Sequence, residues 1–140
     1  MLAGEYRHGL DAKNRIFIPA KLREELGQTI LVAKNIREKC LKVYSLAEWE
    51  KYIGPLQEQN RKLSEKLMRF IYPTLLQATP DSQGRIVLTG ELIGHAEIDR
   101  NVVIVGCGKY AEIWSEELYD ATVNEIDVEE LVAELESLGY

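Results

Sequence analysis

The sequence predicts an α+β fold made of two tandem copies of one small unit, related by a pseudo-two-fold, with short helices between and after them. Two observations carry that expectation. Residues 11–15 read Asp-Ala-Lys-Asn-Arg and residues 81–85 read Asp-Ser-Gln-Gly-Arg, so a five-residue Asp-x-x-x-Arg turn occurs twice, seventy positions apart. The flanks repeat as well. Arg15-Ile16-Phe17-Ile18-Pro19 is answered by Arg85-Ile86-Val87-Leu88-Thr89, and Leu22 by Leu92. Ile30-Leu31-Val32-Ala33 is answered by Val102-Val103-Ile104-Val105, and Val43-Tyr44-Ser45 by Ile113-Trp114-Ser115. Each copy therefore reads strand, tight turn, strand, short helix, strand, strand, over roughly 40 to 45 residues. A unit that small has little core of its own, so the two copies are expected to fold against each other. The chain divides on this reading into a first repeat at 1–53, a helical connector at 54–75, a second repeat at 76–120 and an acidic C-terminal helix at 121–140.

The turn comes first because it is the most constrained element. Its fourth position is Asn14 in one copy and Gly84 in the other, the residue types that most readily accept a left-handed backbone. Asp11 and Asp81, at the first position, can accept hydrogen bonds from N–H groups two or more residues on and so pin the turn. Arg15 and Arg85 then stand at fixed places on a rigid hairpin, with a guanidinium able to fork onto a carboxylate or a phosphate. Pairing with the turn's own aspartate is the simplest role for each arginine, and it does not exclude ligand contact.

In the connector, Ser45 opens a segment carrying Leu46, Trp49, Tyr52 and Ile53 on one face, and Gly54-Pro55 is expected to break it. A second segment places Leu63, Leu67, Phe70 and Ile71 at helical spacing before Pro73. Lys62, Lys66 and Arg69 line another side of that helix and read as its wet face. After the second repeat Ser115 caps a short helix, and Asp127 with Glu130 resembles a capping box. Val128, Leu131, Val132, Leu135 and Leu138 then form an apolar stripe that must pack on something, and a helix at a chain end is expected to dock on its own body.

Composition excludes several classes. At 140 residues, 46% hydrophobic and 29% charged, the chain has the composition of an ordinary globular protein. No apolar run approaches the roughly 20 residues of a membrane span, and no signal-peptide pattern opens the sequence, so a cytoplasmic location without membrane attachment is expected. Cys40 and Cys107 lie in apolar strand contexts without Cys-x-x-Cys spacing and read as buried thiols. His8 and His95 have no companions at metal-ligand spacing, and no nucleophile–base pair stands out, so neither an enzyme nor a cofactor is expected. The net charge of −6 is unevenly spread. From residue 111 onward there are ten acidic residues and no Lys or Arg, whereas the first 110 residues carry 17 basic against 13 acidic groups, a net +4. A mildly basic body with an acidic appendage suits a polyanionic partner.

Several segments in fixed order carry a family resemblance. They are Gly4-Glu5-Tyr6, the turn from Asp11 to Arg15, Ile18-Pro19-Ala20 with Arg23-Glu24, and Tyr44-Ser45-Leu46 followed by Trp49-Glu50. Arg69-Phe70, Asp81 with Gly84-Arg85, Val105-Gly106 and Glu112-Ile113-Trp114-Ser115 complete the set. Together they resemble the MraZ family over roughly residues 1–120. The resemblance implies two AbrB-type, swapped-hairpin β-barrel half-domains and a homo-oligomeric ring. It also implies a transcriptional regulator on the nucleoid that binds double-stranded DNA at G-rich direct repeats, in the promoter of the division and cell-wall gene cluster that includes its own gene. The family's DNA-contacting residues lie on the turn, which maps onto Lys13 and Arg15, with Arg85 as the second-copy counterpart. Lys21 and Arg23, on the helix that follows, are candidates for positioning the DNA backbone. Asn14 departs from the family's usual glycine, and Ser82-Gln83 leave the second turn without the extra cation of the first, which favours a structural role there. The rival reading is a protein–protein scaffold or antitoxin-like oligomeric module in which both turns are structural.

Overall fold

The computed structural model describes all 140 residues. Both copies adopt the expected order. The first comprises β1 (Glu5–Gly9), β2 (Arg15–Phe17), α1 (Ala20–Leu26), β3 (Ile30–Lys34) and β4 (Leu41–Ser45). The connector forms α2 (Leu46–Gln57), α3 (Arg61–Ile71) and a 3-10 turn (Tyr72–Thr74). The second copy comprises β5 (Leu76–Ala78), β6 (Arg85–Val87), α4 (Gly90–His95), β7 (Asn101–Gly106) and β8 (Ala111–Ser115), followed by α5 (Glu116–Asn124) and α6 (Val128–Ser137). No helix is long and apolar enough to cross a membrane.

The copies are interleaved. A six-stranded sheet runs β1-β7-β8-β4-β3-β5, and β2 pairs with β6 in a separate two-stranded ribbon. Thus β1 of the first copy hydrogen-bonds to β7 of the second, with Tyr6 opposite Ile104. Reciprocally, β5 of the second pairs with β3 of the first, with Leu31 opposite Gln77. Strands β4 and β8 join the halves at the middle, in the register Leu41 to Ile113 and Val43 to Ala111. Each copy gives its first strand to a strand of the other.

This exchange solves the size problem of the unit. Period-2 alternation sends Ile30, Val32, Leu41, Val43, Ile104 and Ile113 to one face of the sheet, where they meet Ile16 and Ile86 from the ribbon and Leu22 and Leu92 from α1 and α4 in a single 19-residue core. Ile16, Ile30 and Leu92 are wholly buried, and burying a side chain of this size stabilises by about 1.5–3 kcal/mol. On the opposite face Leu31, Ala33 and Tyr44 pack under Trp49 and Ile53 of α2 and Ile71 at the end of α3.

Helix starts follow the expected caps. The Ser45 hydroxyl accepts from Glu48 N–H, Ser115 from Leu118 N–H, and the Asp127 carboxylate from Glu129 and Glu130 N–H. Three expectations fail. Gly54-Pro55 does not break α2, which continues to Gln57 with Pro55 inside it; the proline removes one hydrogen bond, that to the carbonyl of Lys51 four residues earlier, and the helix ends two residues later. Cys107 is exposed, unlike the buried Cys40, because β7 ends at Gly106 and the chain turns away to the Cys107 N–H to Tyr110 carbonyl bond. The apolar stripe of α6 does not dock on the body: every residue from 123 onward is exposed.

Candidate nucleic-acid interface

The two Asp-x-x-x-Arg turns have the same hydrogen bonds. In the first, Asp11 Oδ1 accepts from the N–H groups of Lys13 and Arg15, both at 2.9 Å, and Oδ2 accepts from Arg15 Nε at 2.6 Å. In the second, Asp81 Oδ1 accepts from Gln83 and Arg85 N–H and Oδ2 from Arg85 Nε, all at 2.9 Å. Asn14 N–H and Gly84 N–H close the turns onto the carbonyls of Asp11 and Asp81. Asn14 has φ 59° and Gly84 φ 78°, the left-handed conformation that these residue types accept most readily. Both aspartate carboxyls are held below their ordinary range, chiefly by the N–H of the arginine four residues on.

Each ion pair uses one nitrogen of the guanidinium. Nη1 and Nη2 of Arg15 and Arg85 have no protein partner, and the side chains are 29% and 28% exposed, so the terminal fork remains open to solvent. The aspartate fixes the arm and leaves the hand free.

The ribbon brings the turns together. Ile16 lies opposite Ile86, Arg15 opposite Val87 and Phe17 opposite Arg85. Alternation buries both isoleucines and puts Arg15, Phe17, Arg85 and Val87 on the outer face, with the two arginines as diagonal neighbours; diagonal residues stand about 7–8 Å apart. The exchange extends beyond the ladder: Ile18 N–H donates to the Gly84 carbonyl and Leu88 N–H to the Asn14 carbonyl, both at 2.8 Å. Each turn is thus clamped by the other copy's chain.

The remaining candidates separate. Lys13 is exposed at the tip of the first turn and Lys21 is exposed on α1, neither in an ion pair. Arg23 is engaged internally: its Nε donates to the Ile18 carbonyl at 2.8 Å and its guanidinium lies 5.7 Å from the centre of the Phe17 ring. It also fills the space in front of Gly84, where a Cβ would approach within 2.8 Å of the guanidinium. Arg23 therefore ties the first copy's helix to the second copy's turn. Of the two turns, only the first carries an extra lysine, Lys13.

Sequence reasoning missed Arg7. It donates to Asp120 Oδ1 at 2.8 Å, pairs with Glu5 and Glu116, and stacks over Tyr119, fastening α5 to the edge strand β1. Its only sequence signal was an arginine on an edge strand with an acidic helix elsewhere.

Comparison with known proteins identifies relatives over nearly the whole chain. The family described as "MraZ protein, putative antitoxin-like" matches residues 1–70 and 76–137. The chain is similar to the transcriptional regulator MraZ of Thermoanaerobacter sp. (strain X514), 38% identical over 143 residues and 99% of both chains. It is 35% identical to that of Dictyoglomus thermophilum over 98% of this chain and 94% of the relative. The regulator of Carboxydothermus hydrogenoformans is 40% identical over 89% of this chain and 87% of its own length. Matches of this extent and identity show that the chain belongs to the MraZ family.

Proposed function

We propose that this protein is a transcriptional regulator that binds double-stranded DNA at short direct repeats, in the promoter of the division and cell-wall gene cluster that includes its own gene. The relatives are named as regulators and not as enzymes. The observation that carries the DNA reading is the β2–β6 ribbon, whose outer face offers two arginine forks, each braced by its own aspartate. A two-stranded ribbon fits the major groove, and an arginine fork pairs with guanine N7 and O6. Arg15 is then the base-reading residue, and Lys13 and Lys21 contact phosphates. Arg85 sits in a turn without a second cation and serves chiefly to hold the ribbon, as Arg23 does through Gly84.

The exchange of first strands is read as the AbrB-type arrangement, with half-domains at 1–53 and 76–120, a connector at 54–75 and the acidic tail helix at 121–140. A homo-oligomeric ring, working on the nucleoid in the cytoplasm, would present one ribbon per subunit. Weak single contacts then combine when repeat spacing matches subunit spacing. The exposed stripe of α6 and the "antitoxin-like" wording of the family description favour a second reading, a protein-binding module with structural turns. A gel shift with the DNA upstream of the protein's own gene, across a salt series, separates the two. The regulator binds the intact repeats tightly, loses binding when they are scrambled, and weakens steeply with salt. Equal affinity for intact and scrambled fragments rules the proposal out.

A further inference from the structure

The sheet face opposite the main core is only partly covered. Helices α2 and α3 lie over β3 and β4, while α5 packs on β7 and β8. Beside α2 and α3 runs a cleft that includes Lys42 of β4 and Tyr110 from the β7–β8 loop. Lys42 stands 4.3 Å from the Tyr110 ring centre and 5.0 Å from that of Tyr52. Two adjoining hollows, of about 550 and 350 Å³, share Lys42 and Tyr52. The first has the apolar walls Ile36, Leu56 and Leu67 with Arg37; the second adds Lys51 and Lys109. Its one lining carboxylate, Glu48, is paired with Lys51. The cleft combines apolar and aromatic walls with the cations Arg37, Lys42, Lys51 and Lys109, and Glu112 of β8 stands opposite Lys42 in the sheet.

The same chain carries the opposite surface. Val128, Leu131, Val132 and Leu135 of α6 and Leu138 at its C-cap are 46–73% exposed, on a ten-residue helix that is otherwise rich in carboxylates (Glu129, Glu130, Glu134, Glu136). A helix of that length spans about 15 Å, and a contiguous apolar stripe of this kind normally has a partner.

We propose that α6 of one copy docks in the cleft beside α2 and α3 of the next, its apolar stripe against Ile36, Leu56, Leu67 and Tyr52 and its glutamates against Arg37, Lys51 and Lys109. Cleft and helix are different surfaces, so the contact is head-to-tail, the kind that closes into rings. Charge complementarity decides the occupant: two copies of α6 pairing with each other would bring carboxylates against carboxylates. The inference deepens the oligomeric part of the proposed function and uses none of the DNA contacts.

The test is sedimentation velocity of full-length chains at low and high salt, without DNA. One variant, Leu131→Asp with Leu135→Asp, keeps the cleft and loses the helix face. Another, Arg37→Glu with Lys51→Glu and Lys109→Glu, keeps the helix and loses the cleft cations. All five positions are exposed, so neither variant disturbs the core. Each variant alone sediments as a smaller species than the parent, high salt shrinks the parent assembly, and an equimolar mixture of the two variants recovers a complex larger than either alone. A monomeric parent, a cleft variant that assembles like the parent, or a mixture that stays as separate species overturns the proposal. DNA binding is scored separately, so loss of one result leaves the other intact.

Discussion

Gly84→Ala tests the clamping of one copy's turn by the other copy's helix. Gly84 is buried at φ 78°, with its open side filled by the Arg23 guanidinium. A left-handed non-glycine residue costs roughly 1–2 kcal/mol. The new Cβ also meets Arg23 at 2.8 Å, forcing the guanidinium off Phe17 and the Ile18 carbonyl; losing a hydrogen bond from a charged donor adds about 1 kcal/mol or more. The expected total of about 2–3 kcal/mol corresponds to a fall in Tm of roughly 6–9 °C for a chain of this size. Thermal unfolding followed by circular dichroism measures it. Combining Gly84→Ala with Arg23→Ala relieves the clash and leaves the backbone strain. The double variant is therefore more stable than the sum of the single losses predicts, by about 1 kcal/mol. Additive losses, or a Gly84→Ala protein that melts with the parent, would refute the reasoning.

Three further outcomes follow from local geometry. At the matching position of the first turn, Asn14 is exposed at φ 59°; Asn14→Gly should leave Tm unchanged or slightly raised, and Asn14→Val should cost more than about 1 kcal/mol. Tyr44 is buried and its hydroxyl has no partner, so Tyr44→Phe should hold or raise stability in urea unfolding, by up to about 1 kcal/mol. Asp11 and Asp81 titrate below the ordinary aspartate value of 3.8 in the folded chain. Below that value the unfolded state binds protons that the folded state does not. Their contribution to stability is therefore complete above about pH 5 and lost as pH falls through the folded pKa. Asp11→Asn with Asp81→Asn should show a lower Tm at neutral pH and a flatter acid limb than the parent.

Much of the fold was legible because repetition doubles every signal. Two Asp-x-x-x-Arg turns with matching flanks fixed the order of strands and helices in both copies, and the Asn14/Gly84 position announced a left-handed backbone. Strand partners were not legible. Alternation tells which face of β1 is buried, but it is equally satisfied by pairing with its own copy or with β7 of the other, and only the shared core decides. The same limit hid Arg23: nothing local to α1 signals that its guanidinium fills the space left by a glycine in the other copy. Gly54-Pro55 misled because a proline removes only one helical hydrogen bond, and α2 runs on for two residues despite that loss. The stripe of α6 was visible as a face needing cover, but a pattern on one helix does not name what covers it.

The central claim is that the first turn reads DNA, and one titration tests it most directly. Fluorescence anisotropy of a labelled promoter fragment carrying the direct repeats, across a salt series, is measured for the parent and for Arg15→Ala, Lys13→Ala and Arg85→Ala, with fold and assembly checked for each. Removing Arg15 should abolish the preference for intact over scrambled repeats while the protein stays folded and assembled. Removing Lys13 should weaken binding to both fragments and flatten the salt dependence by about 0.9 per lost phosphate contact. Removing Arg85 should act mainly through stability. A folded, assembled Arg15→Ala protein that binds the repeats as tightly as the parent would contradict the account, and loss confined to Arg85→Ala would move the reading site to the second turn.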